Sequence, residues 1–522
     1  MNKSYISDDA KIKKLFDLAS ENFEKNNLKV SQNLYQDILK INPHHTESHF
    51  NLGLIFQKFG EFNKAKESYQ KAIEIKPNYI DAYNNLGLTF KKLDDLKNAK
   101  DCYEKAIKIN PNYINAIFNL GIIFRELGDF KSAINCYKKV IEIKPNFEKV
   151  YNNLGNVFKK IGLDAQAISY FQKALKLNIN SVEAQTNISN VLISQLTNIE
   201  NAVSSSHKAL EMHHEKSHFF NQSISLYRLK HDVQQAKYLS STSAIFEGID
   251  TFIETGEKIL NQTENIENKI KSQKKIFLKK NEIDLLLPFF KTNYIYKTSH
   301  ITSGCINPKK NWKDIENEYF SSPKQIIFID NFLSDPALQE LQKFCLKSKI
   351  WIEERQNNYL GSFSDKGFVS PVHLQIAIEL KNKLPKLFGG HRLGRFWAFK
   401  YDSSLGKGIN IHADFALINL NFWITPDQYN NNKNSGGLKV YDTPAPLDWT
   451  FQKYNVNADE IYKLLKKNKA NCINIPYKYN RAVLFNSDYF HETDQIDFKD
   501  RYEARRINVT YLFGDRLSKR KS

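Results

Sequence analysis

A leucine–glycine pair returns along this chain at a fixed step: Leu52-Gly53, Leu86-Gly87, Leu120-Gly121 and Leu154-Gly155 are each 34 residues apart. Ala65, Ala99, Ala133 and Ala167 keep the same step, as do Tyr69, Tyr103, Tyr137 and Phe171, and Pro77, Pro111 and Pro145. Leu18-Ala19, Tyr35 and Pro43 extend the register backwards, and a degenerate unit around Ile188, Ala202 and Ala209, slipped by one residue, extends it forwards. Such a period fixes the architecture more than any other feature, because one unit of this length is a single supersecondary element that cannot bury its own apolar face and must stack on its neighbours. Leu52, Gly53 and Phe56 share one face of a first helix, where glycine lets a second helix come close, and Ala65, Tyr69 and Ala72 line that second helix. Pro77 then ends the helix and opens the next unit. The units run near 12–45, 46–79, 80–113, 114–147, 148–181 and 182–216.

This pattern resembles the tetratricopeptide repeat (TPR). The resemblance implies an all-α superhelix over 12–216 whose concave side binds a peptide or protein partner. Asn85, Asn119 and Asn153 repeat with the period and would face that side, although asparagines there can equally cap or solvate helices.

Residues 217–300 read as a helical connector, with amphipathic stretches such as Ile224 to Leu239 and a polar run from Gln262 to Lys275. Within it, His231 and Asp232 are adjacent on a helix and are expected to point apart, as packing or capping residues rather than a site. The net charge of +18 raises nucleic-acid binding. The basic residues are interleaved with acidic ones, as on solvated helix faces, and the basic tail from Arg516 to Lys521 reads as a frayed terminus, so nucleic acid is not the expected partner. Five scattered cysteines (Cys102, Cys136, Cys305, Cys345, Cys472) form no CxxC pair and read as small buried hydrophobes. Without an apolar span or a signal-peptide core after Met1, the expectation is no membrane and a cytoplasmic location.

From Gln325 the period becomes two. Strands are expected at Gln325–Asp330, Phe396–Tyr401, Ala416–Ile424, Leu438–Tyr441, Ala482–Phe485 and Arg506–Phe513, with helices at Pro336 to Ser348 and Ala458–Asn468. Gly361, Gly367, Gly389-Gly390, Gly406, Gly408 and Gly436-Gly437 supply turns, so a barrel or sandwich is implied. Along Arg506–Phe513 one face carries Arg506, Asn508 and Thr510; along Leu417–Ile424 one face carries Asn419, Asn421 and Trp423. Strands that bury an apolar face and keep a polar one line a ligand cavity. His412-Ala413-Asp414, with His491 further on, supplies two imidazoles and a carboxylate, a set able to take one face of an iron(II) octahedron and leave three positions open. A triplet of this kind is weak evidence alone.

The whole set of segments is similar to the iron(II)- and 2-oxoglutarate-dependent oxygenases, in particular their bacterial branch near the prolyl hydroxylases. The segments are Ile327-Phe328-Ile329-Asp330-Asn331-Phe332-Leu333, His412-x-Asp414, Gly436-Gly437-Leu438-Lys439-Val440-Tyr441, Arg481 to Ser487 leading to His491, and Arg506. The resemblance implies a multidomain chain ending, over 301–522, in a double-stranded β-helix (jelly-roll) with flanking helices. It implies His412, Asp414 and His491 as iron ligands, and oxidative decarboxylation of 2-oxoglutarate with dioxygen, coupled to hydroxylation of a substrate recruited by the repeats. Arg506 is expected to grip the 2-oxo acid by a forked, charge-assisted pair, with Tyr401, Asn421 and Asn508 beside it. The spacing usual in the family lands instead on Arg501; strand position favours Arg506, and Arg501 and Arg505 are expected at the surface. Two other readings stand: a TPR scaffold carrying an inactive β-helix, and a cupin-like metalloenzyme that uses no 2-oxo acid.

Overall fold

The computed structural model describes residues 8–216, 223–242, 247–267, 275–355, 359–402 and 408–516. The N-terminal segment before Asp8, part of the Gln262 to Lys275 run, Gly406 and the tail from Leu517 lie outside the described residues. The chain divides into two compact units, Met1–Ser181 and Val182–Ser522.

The first unit is five antiparallel helix pairs: Asp8–Glu24 with Leu28–Ile41, Thr46–Phe59 with Phe62–Ile75, Ile80–Lys92 with Leu96–Ile109, Ile114–Glu126 with Phe130–Ile143, and Glu148–Lys160 with Asp164–Leu177. The periodic glycine sets how closely the two helices of a pair approach. A Cβ on Gly53 would lie 2.5 Å from the Tyr69 ring, and one on Gly121 would lie 2.6 Å from that of Tyr137; Gly87 and Gly155 meet Tyr103 and Phe171 in the same way. The aromatic ring thus occupies the space of the missing side chain. Asn85 and Asn153 donate to the carbonyls of Asp81 and Lys149, one turn back, at 2.9 and 3.0 Å, and Asn119 donates to the side chain of Asn84 at 3.0 Å. Helix solvation therefore takes part of the hydrogen-bonding capacity of this ladder.

The sixth helix pair, Val182–Gln195 with Ile199–Lys216, belongs to the second unit. Ser206 Oγ donates to Ser364 O at 2.6 Å and accepts from Gly367 N at 2.9 Å, and Ile193, Ala202 and Leu210 join the largest apolar core of that unit. The connector contains helices Leu226–Ser241, Ile249–Glu267 and Lys280–Lys291 and a two-stranded sheet of β1 (Ser223–Ser225) and β2 (Lys275–Phe277).

The remaining strands are β3 (Ile326–Ile329), β4 (Glu353–Arg355), β5 (Tyr359–Phe363), β6 (Leu393–Tyr401), β7 (Ile418–Trp423), β8 (Leu438–Pro444), β9 (Cys472–Ile475), β10 (Ala482–Asn486), β11 (Tyr489–Thr493) and β12 (Arg506–Phe513). They form an antiparallel seven-stranded sheet, β3-β10-β7-β12-β6-β5-β4, and a three-stranded sheet, β11-β8-β9. Alternation divides the residues of the large sheet. Ile507, Val509, Tyr511 and Phe513, with Ile418, Leu420 and Phe422, face a core shared with helices Trp312–Ser321, Asp335–Lys347 and Pro371–Lys383. Trp397, Phe399, Tyr401, Trp423 and Leu512 face the smaller sheet, whose Leu438, Val440 and Ile475 complete a second core.

The structure differs from the sequence reading at several places. Gly361 lies inside β5, where the missing side chain admits the rings of Phe363 and Phe399; an added Cβ would sit 3.0 and 3.1 Å from them. Arg516 is buried, with Nε on Asp488 at 2.6 Å and the guanidinium 4.2 Å from the Tyr454 ring, so the basic tail begins with an anchored residue. Cys472 is exposed, since β9 is an edge strand. Finally, His231 and Asp232 do meet: Nδ1 lies 2.9 Å from Oδ1, while Arg228 Nε holds the other carboxylate oxygen at 2.5 Å. Adjacent helical residues diverge in solvent; here both are buried, and the short aspartate side chain stays within reach of Nδ1.

Candidate metal centre

The segment after β6 returns as a short bridge beside β11: His412 N donates to His491 O at 3.0 Å and His491 N donates to His412 O at 2.8 Å. This pairing puts the two imidazoles side by side, with ring centroids 4.3 Å apart. Alternation then turns His412 and Asp414 inward, while Ile411 and Ala413 point outward into an apolar cluster with Phe490 and the insertion residues Tyr454, Ile461 and Leu465. Ala413 N donates to Tyr454 O at 2.9 Å, and Asn455 Nδ2 donates to Ala413 O at 2.8 Å, so helices Phe451–Asn455 and Ala458–Lys467 clamp this segment from outside.

One ligand atom from each of His412, Asp414 and His491 can be chosen so that all lie within 4.8 Å of one another. His412 Nε2 is 3.9 Å from Asp414 Oδ1, and His491 Nε2 is 3.5 Å from Oδ2. Both Nδ1 atoms face backbone carbonyls, of Asn410 at 2.8 Å and of Tyr489 at 3.0 Å. A carbonyl can only accept, so each Nδ1 carries the proton and each Nε2 presents a lone pair to the common centre. Burial, then the neighbouring His491, push the His412 imidazole down to about 4. Burial would raise the Asp414 carboxyl, but the polar groups against it, His491, His412 and Asn419, outweigh burial and hold the acid below its ordinary range. A neutral His412 imidazole beside an ionised carboxylate suits a divalent metal. The donor set therefore fits a divalent metal with open positions.

The same cleft is lined by Arg506, Asn421, Asn508 and Thr510, with Trp397, Phe399, Ile409 and Leu438 as apolar walls. Arg506 is 1% exposed. Nε donates to Gly436 O at 2.6 Å, Nη2 to Gly437 O at 3.3 Å and Nη1 to Asn508 Oδ1 at 3.3 Å. Gly436 turns with φ +84°, and a side chain on Gly437 would collide with Ile475 O, so only this glycine pair can bring both carbonyls to the guanidinium. Three of the five N–H groups are thereby fixed. Among the described residues no carboxylate pairs with Arg506, and burial pushes its pKa down. Tyr401, its register partner on β6, lies with its ring 4.9 Å from the guanidinium, and its buried hydroxyl sits beside Arg506 and Thr493. A buried cation without a carboxylate partner, with a phenol against it in one cleft, suits an anionic ligand.

All seven residues singled out in the sequence thus stand on inward faces around one cleft or directly beside it. Of the other two arginines, Arg501 is exposed as expected, near Glu503 at 3.6 Å. Arg505 departs from expectation: it is 3% exposed, paired with Asp402 at 3.0 Å, and donates to Gln234 at 2.8 Å and the Tyr227 hydroxyl at 3.4 Å. Alternation turns Arg505 away from the cleft and into the connector helix, a contact that spacing alone could not disclose. Sequence reasoning put Asn419 on the polar face of its strand but gave it no role, and did not single out the aromatic walls; Asn419 donates to Asp414 Oδ2 at 2.6 Å. The alternation of Trp397, Phe399 and Tyr401 along β6 carried a signal for the walls.

Comparison with known proteins concerns the repeats. Models of the TPR repeat match residues 58–94 and 121–162, and models of the tetratricopeptide repeat match 80–113, 102–135 and 148–178. No curated protein matches the chain. Among solved structures, the MamA protein is 28% identical over 33% of this chain and 94% of its own, with a TM-score of 0.31. YrrB, described as a TPR protein with an unusual peptide-binding site, is 19% identical over 34% of this chain and 96% of its own, at 0.31. A thermophilic TPR protein of Thermus thermophilus is 19% identical over 35% of this chain and 99% of its own, at 0.30. Among the described residues no helix is long and apolar enough to cross a membrane. Tetratricopeptide repeats therefore occupy the N-terminal part of the chain, across residues 58–178.

Proposed function

We propose that residues 301–522 form an iron(II)- and 2-oxoglutarate-dependent dioxygenase, with its two sheets as the halves of a double-stranded β-helix. The observation that carries the reading is the unpaired, buried Arg506 in the same cleft as His412, Asp414 and His491. A metal site alone has no use for a buried cation, whereas a dicarboxylate that reaches the metal at one end and Arg506 at the other needs both. The cupin-like alternative leaves Arg506 without a role. An inactive scaffold leaves a buried charge in the cleft to be maintained without a ligand, at a desolvation cost of several kcal/mol.

In this reading His412, Asp414 and His491 hold the iron, which when bound supplies the activation of dioxygen. The protein residues do the rest. Tyr401 and Arg506 fix the distal carboxylate, the guanidinium being held in place by Gly436, Gly437 and Asn508. Trp397, Phe399, Ile409 and Leu438 exclude water from the reacting centre. The tetratricopeptide repeats recruit a peptide or protein substrate.

Succinate release from 2-oxoglutarate, in aerobic solution with iron(II) and no second substrate, tests the assignment. Slow turnover that His412→Ala removes is expected. Its absence in a protein that binds iron would favour the cupin-like reading. Removal of residues 8–181 should leave this uncoupled turnover in place while weakening use of a protein substrate.

A further inference from the structure

Between the metal-facing carboxylate and the buried arginine runs one unbroken line of side-chain hydrogen bonds. Arg506 Nη1 donates to Asn508 Oδ1 at 3.3 Å, and Asn508 Nδ2 donates to Asn421 Oδ1 at 3.3 Å. Asn421 Nδ2 donates to Asn419 Oδ1, and Asn419 Nδ2 donates to Asp414 Oδ2 at 2.6 Å. Thr510 Oγ1 adds a second donor to Asn421 Oδ1 at 2.6 Å. The register places the links on neighbouring strands: Thr510 lies opposite Asn421 across β12 and β7, and Asn508 lies opposite Trp423.

Ordinary buried amides need only be satisfied, in any direction. Here every amide donates toward Asp414 and accepts from the side of Arg506, so the dipoles run head to tail from a cation to an anion. Hydrogen bonds aligned in a low-dielectric interior polarise one another. The chain also uses most of the hydrogen-bonding capacity of its members: both acceptor positions of Asn421 Oδ1 are taken, and Asn508 Nδ2 is shared between Asn421 and Thr510. These asparagines are thus committed to one another more than to a ligand.

We propose that Asn419, Asn421 and Asn508 are positioning residues that couple the metal subsite to the carboxylate subsite. The inference rests on the reading of the cleft as a site for a metal and a dicarboxylate. An anion at Arg506 neutralises the positive end of the chain and weakens the donation that Asp414 Oδ2 receives. The carboxylate then gives more of its charge to a metal, and each ligand tightens the other by the same factor. The metal is held more firmly once Arg506 is paired.

The test uses the full-length protein, cobalt(II) as the metal, and glutarate as a dicarboxylate without the keto oxygen. Calorimetric titration gives the Kd for cobalt(II) with and without saturating glutarate, in the wild type, Asn421→Ala and Asn508→Ala. In the wild type glutarate should tighten cobalt(II) about fivefold. In either variant the effect should fall below about twofold, the part carried through space, whatever the substitution does to the affinity for either ligand alone. Any contact between glutarate and the metal is common to all three proteins, so the difference reports the chain. Equal coupling in the wild type and both variants overturns the proposal. The two variants cut the chain at different links, so if circular dichroism shows one of them unfolded the other decides. A wild type that binds cobalt(II) but not glutarate sinks the dicarboxylate reading, and this inference with it.

Discussion

Arg506 is the residue at which stability and function pull in opposite directions. Its charge is buried, with backbone carbonyls and one amide as partners and no carboxylate among the described residues. Desolvation of such a charge costs several kcal/mol that hydrogen bonds only partly return. Arg506→Met should therefore leave the Tm of the ligand-free protein unchanged or raise it by about 2–4 °C. The same change should weaken 2-oxoglutarate by at least about thirtyfold, the loss expected when one partner of a buried charge pair is removed. Calorimetry for both quantities checks it; a lowered Tm with unchanged affinity would mark Arg506 as purely structural. Two histidines outside the cleft make a second prediction. Burial pushes His231 and His373 down to about 3, against the opposing pull of Asp232 on the former, so both stay neutral in the fold. The unfolded chain takes up these protons as pH falls below about 6.5. Their contribution is intact above that value and is lost progressively between about 6.5 and 3. Thermal unfolding across that window should show a falling Tm, with His373→Phe flattening the slope.

At the scale of the element, the glycine–aromatic contact sets the helix spacing in each repeat. Gly121→Ala should cost the array about 1–3 kcal/mol through overpacking against Tyr137, and Tyr137→Leu in the same chain should recover part of that loss. Urea unfolding of the single and double variants measures the coupling. Contacts of this sort were legible because they repeat: Gly53, Gly87, Gly121 and Gly155 announce themselves by period. The inner faces of β7 and β12 were legible for a like reason, since alternation puts Asn421 and Arg506 on polar stripes without reference to the rest of the chain. What escaped was short or non-local. β11 holds His491 in five residues of mixed polarity after a turn, and it is a strand only because β8 and the His412 bridge pair with it. Arg505 looked solvent-facing because the residues that receive it, Gln234 and Tyr227, lie far earlier in the chain. Asn419 reads as one more polar residue until Asp414 is placed beside it.

On the scale of the whole molecule, the 34-residue period and the compact units end at different places. The sixth helix pair continues the repeat in sequence but packs with the strand-rich unit through Ser206, His207 and Leu210. A fragment of residues 182–522 should accordingly fold with one cooperative thermal transition. Removal of a further stretch, to give 217–522, should strip Ile193, Ala202 and Leu210 from the outer core and leave a protein that aggregates or melts without a sharp transition. Calorimetry on the two fragments distinguishes the outcomes, and equal behaviour would place the boundary after the sixth pair. The central claim, that metal and 2-oxo acid meet in the cleft between the sheets, is tested most directly by anaerobic titration of the full chain with iron(II) and then 2-oxoglutarate, followed by visible absorption. A charge-transfer band from the chelate is expected, abolished by His412→Ala and weakened by Arg506→Met. No band, in a folded protein that retains no iron, would contradict it and leave the tetratricopeptide array as the working part of the molecule.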